Sequence, residues 1–323
     1  MRRECTVDIG IDLGGTNIAI GLVDDQGHII YKDSVPTNAS RHYSEIIRDM
    51  FYLSEKVVQD AGYQLKDINT VGVGSPGIPD KEKGMILYAN NLNFYNVPLK
   101  EEIQKMMNLP IFIDNDANCA AYAEAMVGAA KDVASSVTIT LGTGIGSGVI
   151  IDNQIYSGFK GAGGELGHIV IQIGGEQCTC GRKGCWERYG SATALILQTK
   201  KAAKENPQSV IHELVNGNLD KINGKTAFDA ERAGDKTGKE VVENYIRYLA
   251  EGIVNVINAF QPEVIVIGGG ISKEGSNLID RLNGLVQTQV YCKDVPQTKI
   301  RVAQLGNDAG IIGAAMLYRQ TDI

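Results

Sequence analysis

Apolar residues fall on alternate positions at Val7, Ile9 and Ile11, and again at Ile18, Ile20 and Leu22. A period of two predicts a pair of strands, joined by the polar turn Asp12-Leu13-Gly14-Gly15-Thr16. A second turn, Asp24-Asp25-Gln26-Gly27, returns the chain to a third strand that begins with Ile29 and Tyr31. The spacing then changes. Ile46, Ile47, Met50, Leu53 and Val57 recur at three and four residues, which predicts a helix over 43–60. The apolar run 71–74 reads as a short buried strand closed by Ser75-Pro76-Gly77. A helix over 98–107, a strand over 111–113 and an alanine-rich helix over 118–128 follow. Beyond a hairpin near Val137, the pattern predicts a helix over 239–260, a strand over 264–267, a helix over 276–290 and another over 309–318. Alternation of this kind places the chain in the α/β class.

The pattern also repeats. At an offset of 128 residues, Ile11, Leu13, Gly14, Leu22, Val23, Asp24 and Gln26 fall on Ile139, Leu141, Gly142, Ile150, Ile151, Asp152 and Gln154. Short strand patterns coincide by chance. The alternative is an ancient duplication, with two domains that each open on a strand, a glycine-rich turn and a strand. Thr140 stands opposite Asp12, so the two halves are not chemically equivalent.

Length and charge narrow the class. At 323 residues the chain suits two domains. With 43% hydrophobic and 21% charged residues it has the profile of a soluble globular protein. A net charge of -7 disfavours nucleic acid and membrane surfaces as partners. No apolar stretch is long enough to span a bilayer, and the strand pattern starts too early to leave room for a signal peptide. A cytoplasmic protein is expected. Of the six cysteines, Cys178, Cys180 and Cys185 cluster while Cys5, Cys119 and Cys292 are scattered, which argues for a metal site in a reducing compartment rather than a disulfide scaffold.

Three glycine-rich turns follow strands: 12–16, 142–148 and 268–270. Any one of them suits a tight hairpin. Together they point to phosphate binding, because glycine lets backbone N–H groups approach phosphate oxygens. The 142–148 turn is not a dinucleotide fingerprint, since a strand and not a helix follows it. Gly224-Lys225-Thr226 is not a P-loop, since Leu219 occupies the place of the first glycine. Asp114-Asn115-Asp116-Ala117-Asn118 lies where a strand meets a helix. Capping explains one such residue. Four polar residues exceed a cap, and a carboxylate there can take a proton from a substrate hydroxyl. His168, Cys178, Cys180 and Cys185 form the donor set of a tetrahedral zinc site with no open position, which makes the metal structural. Glu165 and Glu187 flank that set, placed to accept hydroxyls of a polyhydroxylated ligand.

Taken together, 141–148, Gly158, 161–168 and 178–187 resemble the signature of the ROK family (repressors, open reading frames and sugar kinases), most of all its bacterial glucokinases. The resemblance covers nearly the whole chain and implies an actin-like ATPase duplication of the ribonuclease H-like type, with two α/β domains around a cleft. It also implies residue roles. Asp116 matches the general base. Gly77, Asn91, Asn115, Glu165, His168 and Glu187 match sugar contacts. Asp12, Gly14, Gly15, Thr16, Asn17, Thr143 and Gly144 match the phosphate loops, with Asp12 near Mg²⁺, and Gly268, Gly269 and Gly270 lie on the adenosine side. The chain departs from the family at the sugar rim, where Asn90 precedes Asn91-Leu92 and Phe94 stands near a usual tryptophan. The DNA-binding segment of the family's repressors is expected to be absent.

The sequence therefore predicts an ATP-dependent, Mg²⁺-requiring kinase that converts glucose to glucose 6-phosphate, with structural Zn²⁺ and a homodimeric state by family analogy. The alternatives are a kinase for N-acetylmannosamine, fructose or allose, and a non-catalytic sugar sensor. The expected division is a small domain over 1–118 joined by the helix 306–323, and a large domain over 119–305.

Overall fold

The structure is a computed structural model that describes residues 6–320; Cys5 lies outside them. Three strands open the chain, β1 (Val7–Leu13), β2 (Asn17–Asp24) and β3 (Ile29–Pro36), followed by α1 (Tyr43–Asp60). Strand β4 (Ile68–Ser75) leads to three short strands, β5 (Ile78–Asp80), β6 (Met85–Ala89) and β7 (Phe94–Val97). Then come α2 (Leu99–Gln104), β8 (Ile111–Asn115) and α3 (Asp116–Met126). A second set of strands begins with β9 (Ser136–Leu141), β10 (Ile145–Ile151) and β11 (Gln154–Tyr156). The helices α4 (Glu187–Gly190), α5 (Ala192–Glu205), α6 (Ile211–Leu214), α7 (Thr226–Arg232) and α8 (Lys236–Phe260) follow. The chain closes with β12 (Val264–Gly269), α9 (Ser276–Gln289), β13 (Lys299–Val302) and α10 (Ala309–Ala315). No helix among the described residues is long and apolar enough to cross a membrane.

Two five-stranded sheets share one plan. The first has the order β3-β2-β1-β4-β8 and the second β11-β10-β9-β12-β13. Each begins with an antiparallel meander: β1 pairs antiparallel with β2, and β10 with β11. Each then adds parallel strands: β4 pairs parallel with β8, and β12 with β13. The 128-residue offset carries β1 onto β9 and β2 onto β10, strand for strand. Coincidence does not reproduce a five-strand order, so the duplication reading stands. A third sheet, β5-β6-β7, belongs to the first half alone and has no counterpart in the hydrophobic pattern.

By internal contacts the chain forms two units. The first holds the described residues up to Thr138, Gly148–Gly164 and those from Gln304 onward; the second holds Ile139–Ser147 and Glu165–Ala303. The sequence boundary expected at 118 falls inside α3.

In the first unit, Ile9, Ile11, Val71 and Val73 join Ile46, Met50 and Val57 of α1 in one core. Alternate positions on β1 and β4 face the other way, with Gly10 and Gly72 at their centres. A Cβ on Gly10 would lie 2.0 Å from the Ile311 carbonyl oxygen, and one on Gly72 would lie 1.7 Å from that of Ala314. The helix α10 therefore lies directly on the sheet's backbone, and Gly313 brings it equally close to Cys119 of α3. In the second unit α8 buries Val242, Tyr245, Leu249, Ile253 and Val256. Its Gly252 makes room for the fully buried ring of Trp186, whose Nε1 donates to the Tyr248 carbonyl at 2.8 Å.

Candidate active site

The polar corner predicted from 114–118 forms where β8 passes into α3. Asn115 caps the helix: its side-chain oxygen accepts the N–H groups of Ala117 at 2.9 Å and Asn118 at 3.4 Å. Its Nδ2 donates to the Gly77 carbonyl at 3.0 Å, which leaves one amide hydrogen free for a ligand. Asp116 is the first residue of α3, two residues before the expected helix start, so its carboxylate is held by regular backbone rather than by a loop. The side chain is half-buried, and burial pushes its pKa up despite a hydrogen bond from the Ala117 N–H.

Asp12, at the end of β1, shares this corner. Its carboxylate rests on Gly310, where a Cβ would lie 2.6 Å from Oδ2. Burial first, and the negative charge of Asp116 second, push its pKa up to about 6. Neither carboxylate forms an ion pair among the described residues, and two half-buried carboxylates together suit a divalent cation. The adjoining turn is tied down by Thr37, whose Oγ1 donates to the Gly14 carbonyl at 2.6 Å and whose N–H donates to the Thr16 carbonyl at 2.8 Å. Thr16 and Asn17 are exposed on this turn. Gly15 approaches Asn91, since a Cβ there would lie 3.2 Å from the Asn91 Cβ. The first unit thus brings Gly77 to Asn115, Asn91 to Gly15, and Asp12 to Asp116.

In the second unit the four expected metal ligands converge. One donor atom from each of His168, Cys178, Cys180 and Cys185 lies within 4.8 Å of the others. Cys178 Sγ is 3.6 Å from His168 Nδ1, and Cys180 Sγ is 3.6 Å from Cys185 Sγ. A zinc tetrahedron with Zn–S near 2.3 Å has edges of about 3.8 Å, so the donor set fits this ion. Burial and then the neighbouring thiols push the Cys185 thiol up to about 12. A cation among the thiols reverses that logic and favours the thiolates.

Glu187 follows this cluster through Trp186, and its carboxylate accepts the Ile145 N–H at 3.0 Å. The metal loop is thereby joined to the turn that carries Thr143 and Gly144. Glu165 is exposed, and its carbonyl accepts the His168 N–H at 3.1 Å. The 142–144 turn closes by a bond from the Gly142 N–H to the Gly144 carbonyl at 3.0 Å. Gly269 has φ +86° and lies against the Leu141 carbonyl, so the second and third glycine turns sit side by side at the ends of β9 and β12. No atom lies within 4 Å of where a side chain would begin on Gly142 or Gly270, which leaves open backbone for a ligand.

Three contributors were not read from the sequence. Thr37 and Lys81 lie in loops with no periodic or motif signal, and Lys81 ion-pairs with Asp114. Asp114 was noted as part of the polar corner without a role. It is 2% exposed and holds the Asn115 N–H at 2.7 Å and Asn118 Nδ2 at 2.9 Å.

Comparison with known proteins identifies the family. The ROK family model matches residues 8–321. A glucokinase of Thermotoga maritima is 34% identical, over 97% of each chain. A xylose repressor of Caldicellulosiruptor bescii is 32% identical over 94% of this chain and 76% of its own. The crystal structure of a ROK family glucokinase from Streptomyces griseus in complex with glucose and AMPPNP superposes with a TM-score of 0.81 and 33% identity, covering 97% of this chain and 99% of that one. The fold is the duplicated α/β arrangement that the repeat implied, and the chain belongs to the ROK family.

Proposed function

We propose that the protein is an ATP-dependent sugar kinase that phosphorylates the 6-hydroxyl of an aldohexose, glucose foremost, with Asp116 as general base. The observation that carries the reading is the position of Asp116: a half-buried carboxylate on the first residue of a capped helix, with its pKa raised towards the range in which a base works. The glucokinase relatives support it.

In this reading the sugar's hydroxyl proton passes to the Asp116 carboxylate. The oxygen's electron pair forms a bond to the γ-phosphorus of ATP, and the bond to the β-bridging oxygen breaks to release ADP. Gly77, Asn91, Asn115, Glu165 and Glu187 hold the other hydroxyls. His168 turns Nδ1 to the thiols and offers Nε2 to the sugar. Phosphoryl transfer rests on positioning and charge stabilisation. The 12–17 and 143–144 turns supply backbone N–H groups to the phosphates, and the 268–270 turn flanks the adenosine. Asp12 would hold Mg²⁺, which neutralises phosphate charge when bound, and His168, Cys178, Cys180 and Cys185 would hold structural zinc.

Asp116→Asn keeps the shape and removes the base. Turnover is expected to fall by about 10²–10⁴-fold, with sugar affinity within a few-fold of the parent by calorimetry. Near-parental turnover would exclude Asp116 as the base. Coupled ADP release across glucose, N-acetylmannosamine, fructose and allose assigns the sugar. The xylose repressor relative favours a second reading, a sugar sensor without catalysis. Sugar binding without ADP release from any of these sugars would establish that reading instead.

A further inference from the structure

The small β5-β6-β7 sheet presents two of the residues assigned to the sugar: Gly77 immediately before β5, and Asn91 between β6 and β7. It touches the Asp114–Asp116 corner at both ends of β5. At the start of β5, Asn115 Nδ2 donates to the Gly77 carbonyl at 3.0 Å. Beyond its end, the ammonium of Lys81 pairs with Asp114 Oδ2. The two partners differ in exposure: the Lys81 side chain is 39% exposed and that of Asp114 is 2%.

Asp114 uses its other oxygen, Oδ1, for the Asn115 N–H and for Asn118 Nδ2. A continuous polar chain therefore runs from Lys81 through Asp114 to Asn115 and back to Gly77. Three carboxylates, Asp12, Asp114 and Asp116, gather at this corner. Lys81 is the one cationic side chain that ion-pairs with any of them among the described residues. A surface ion pair contributes little, but removing one partner of a buried charge leaves the other uncompensated. Asp114 without Lys81 would draw water or a new partner into the corner, and β5 would lose one of its two polar ties to it, while β6 and β7 keep their apolar packing through Ile86, Phe94 and Val97.

We propose that Lys81 is a positioning residue for sugar binding: its ion pair with Asp114 latches the β5-β6-β7 sheet, which presents Gly77 and Asn91, onto the corner that carries Asn115 and Asp116. The sugar part of this inference rests on the kinase reading above; the latch itself does not. Lys81 sits in an exposed turn and touches neither phosphate loop, so the latch acts on the sugar and not on the nucleotide.

Two measurements on Lys81→Met, Lys81→Arg and Lys81→Met/Asp114→Asn test it. The first is amide hydrogen exchange of the ligand-free proteins. Exchange over 78–97 is expected to speed up at least tenfold in Lys81→Met, with β1 and β2 unchanged, and to return towards the parent in Lys81→Arg. The second is steady-state kinetics. Lys81→Met should raise the sugar KM about tenfold, with kcat within about threefold and the KM for MgATP unchanged. Lys81→Arg should restore the sugar KM, and the double variant should recover part of it, since a neutral amide in place of the Asp114 carboxylate leaves no stranded charge. Parental exchange over 78–97 in Lys81→Met overturns the latch. Accelerated exchange with a parental sugar KM, or with sugar and MgATP KM raised together, overturns the positioning role. If the parent protein releases no ADP with any sugar, the kinase reading fails, and the exchange measurement still decides the latch.

Discussion

Asp12 holds its charge where the fold solvates it poorly. Its carboxyl is raised to about 6, against an ordinary value of 3.8, by burial and then by Asp116. In the ligand-free protein this residue costs nothing below about pH 4, where folded and unfolded chains both bind the proton. The cost grows between pH 4 and 6, where the unfolded chain alone has released it, and is complete above 6. Asp12→Asn removes the penalty. Its Tm should exceed the parent's by about 2–4 °C at pH 8 and by nothing at pH 4; under the proposed function, Mg²⁺-dependent turnover is expected to be lost. An equal or lower Tm at pH 8 would show that the corner solvates Asp12 well. If Asp12 holds Mg²⁺ as proposed, protons compete with the cation below about pH 6, and the Mg²⁺ requirement should rise as the pH falls through that value. Both carboxylates could be picked out as residues, Asp12 beside a glycine turn and Asp116 in a polar strand-to-helix corner. Their raised pKa values could not, because burial is set by tertiary packing; Asp12 rests on Gly310, almost three hundred residues away.

At the scale of elements, the segment Cys185-Trp186-Glu187 joins three jobs in consecutive residues: a proposed metal ligand, a core anchor and a carboxylate bound to the Ile145 N–H. Trp186 is the chain's single tryptophan and is fully buried. If the site holds zinc as proposed, chelation should therefore shift its emission to the red and lower sugar affinity before it slows turnover. Metal analysis of protein purified without chelator should find close to one zinc; less than about 0.2 equivalents contradicts the site. A glycine provides the second test. Gly72→Ala places a methyl against the Ala314 carbonyl, and overpacking of this kind costs about 3 kcal/mol, read as a loss in denaturant midpoint. Such contacts explain what was legible. β1 and β2 show clear alternation, β4 and β12 read as short apolar runs, and α1 was read to the residue, whereas β11 and β13, three and four residues long, left no pattern. The β5-β6-β7 sheet was not, because strands of three to five residues interrupted by Pro79 have no room to show a period. The start of α3 was missed by two residues because Asn115, Asp116 and Asn118 are all capping residue types, and only the backbone reveals which one caps.

For the whole molecule, the duplicated sheets are alike in order and unlike in chemistry: the site opposite Asp12 is Thr140, so one half alone offers a carboxylate at the end of its first strand. The duplication was visible as an offset in the sequence. The return of the C-terminal helix to the first domain was expected from the resemblance, but the return of Gly148–Gly164 was not, and periodicity alone says that 309–318 is a helix and nothing about which sheet it covers. The structure places α10 on β1 and β4, backbone to backbone, through Gly10 and Gly72, and against α3 through Gly313. During synthesis, α3 leaves the ribosome about 190 residues ahead of the helix that completes its core. At ordinary translation rates the first unit waits roughly 10–40 s with the part of its sheet that α10 covers left open, while the whole of the second unit is made. The nascent chain therefore spends that interval as a client for chaperones, and a ribosome stalled anywhere in the second unit exposes a half-built first one to proteases.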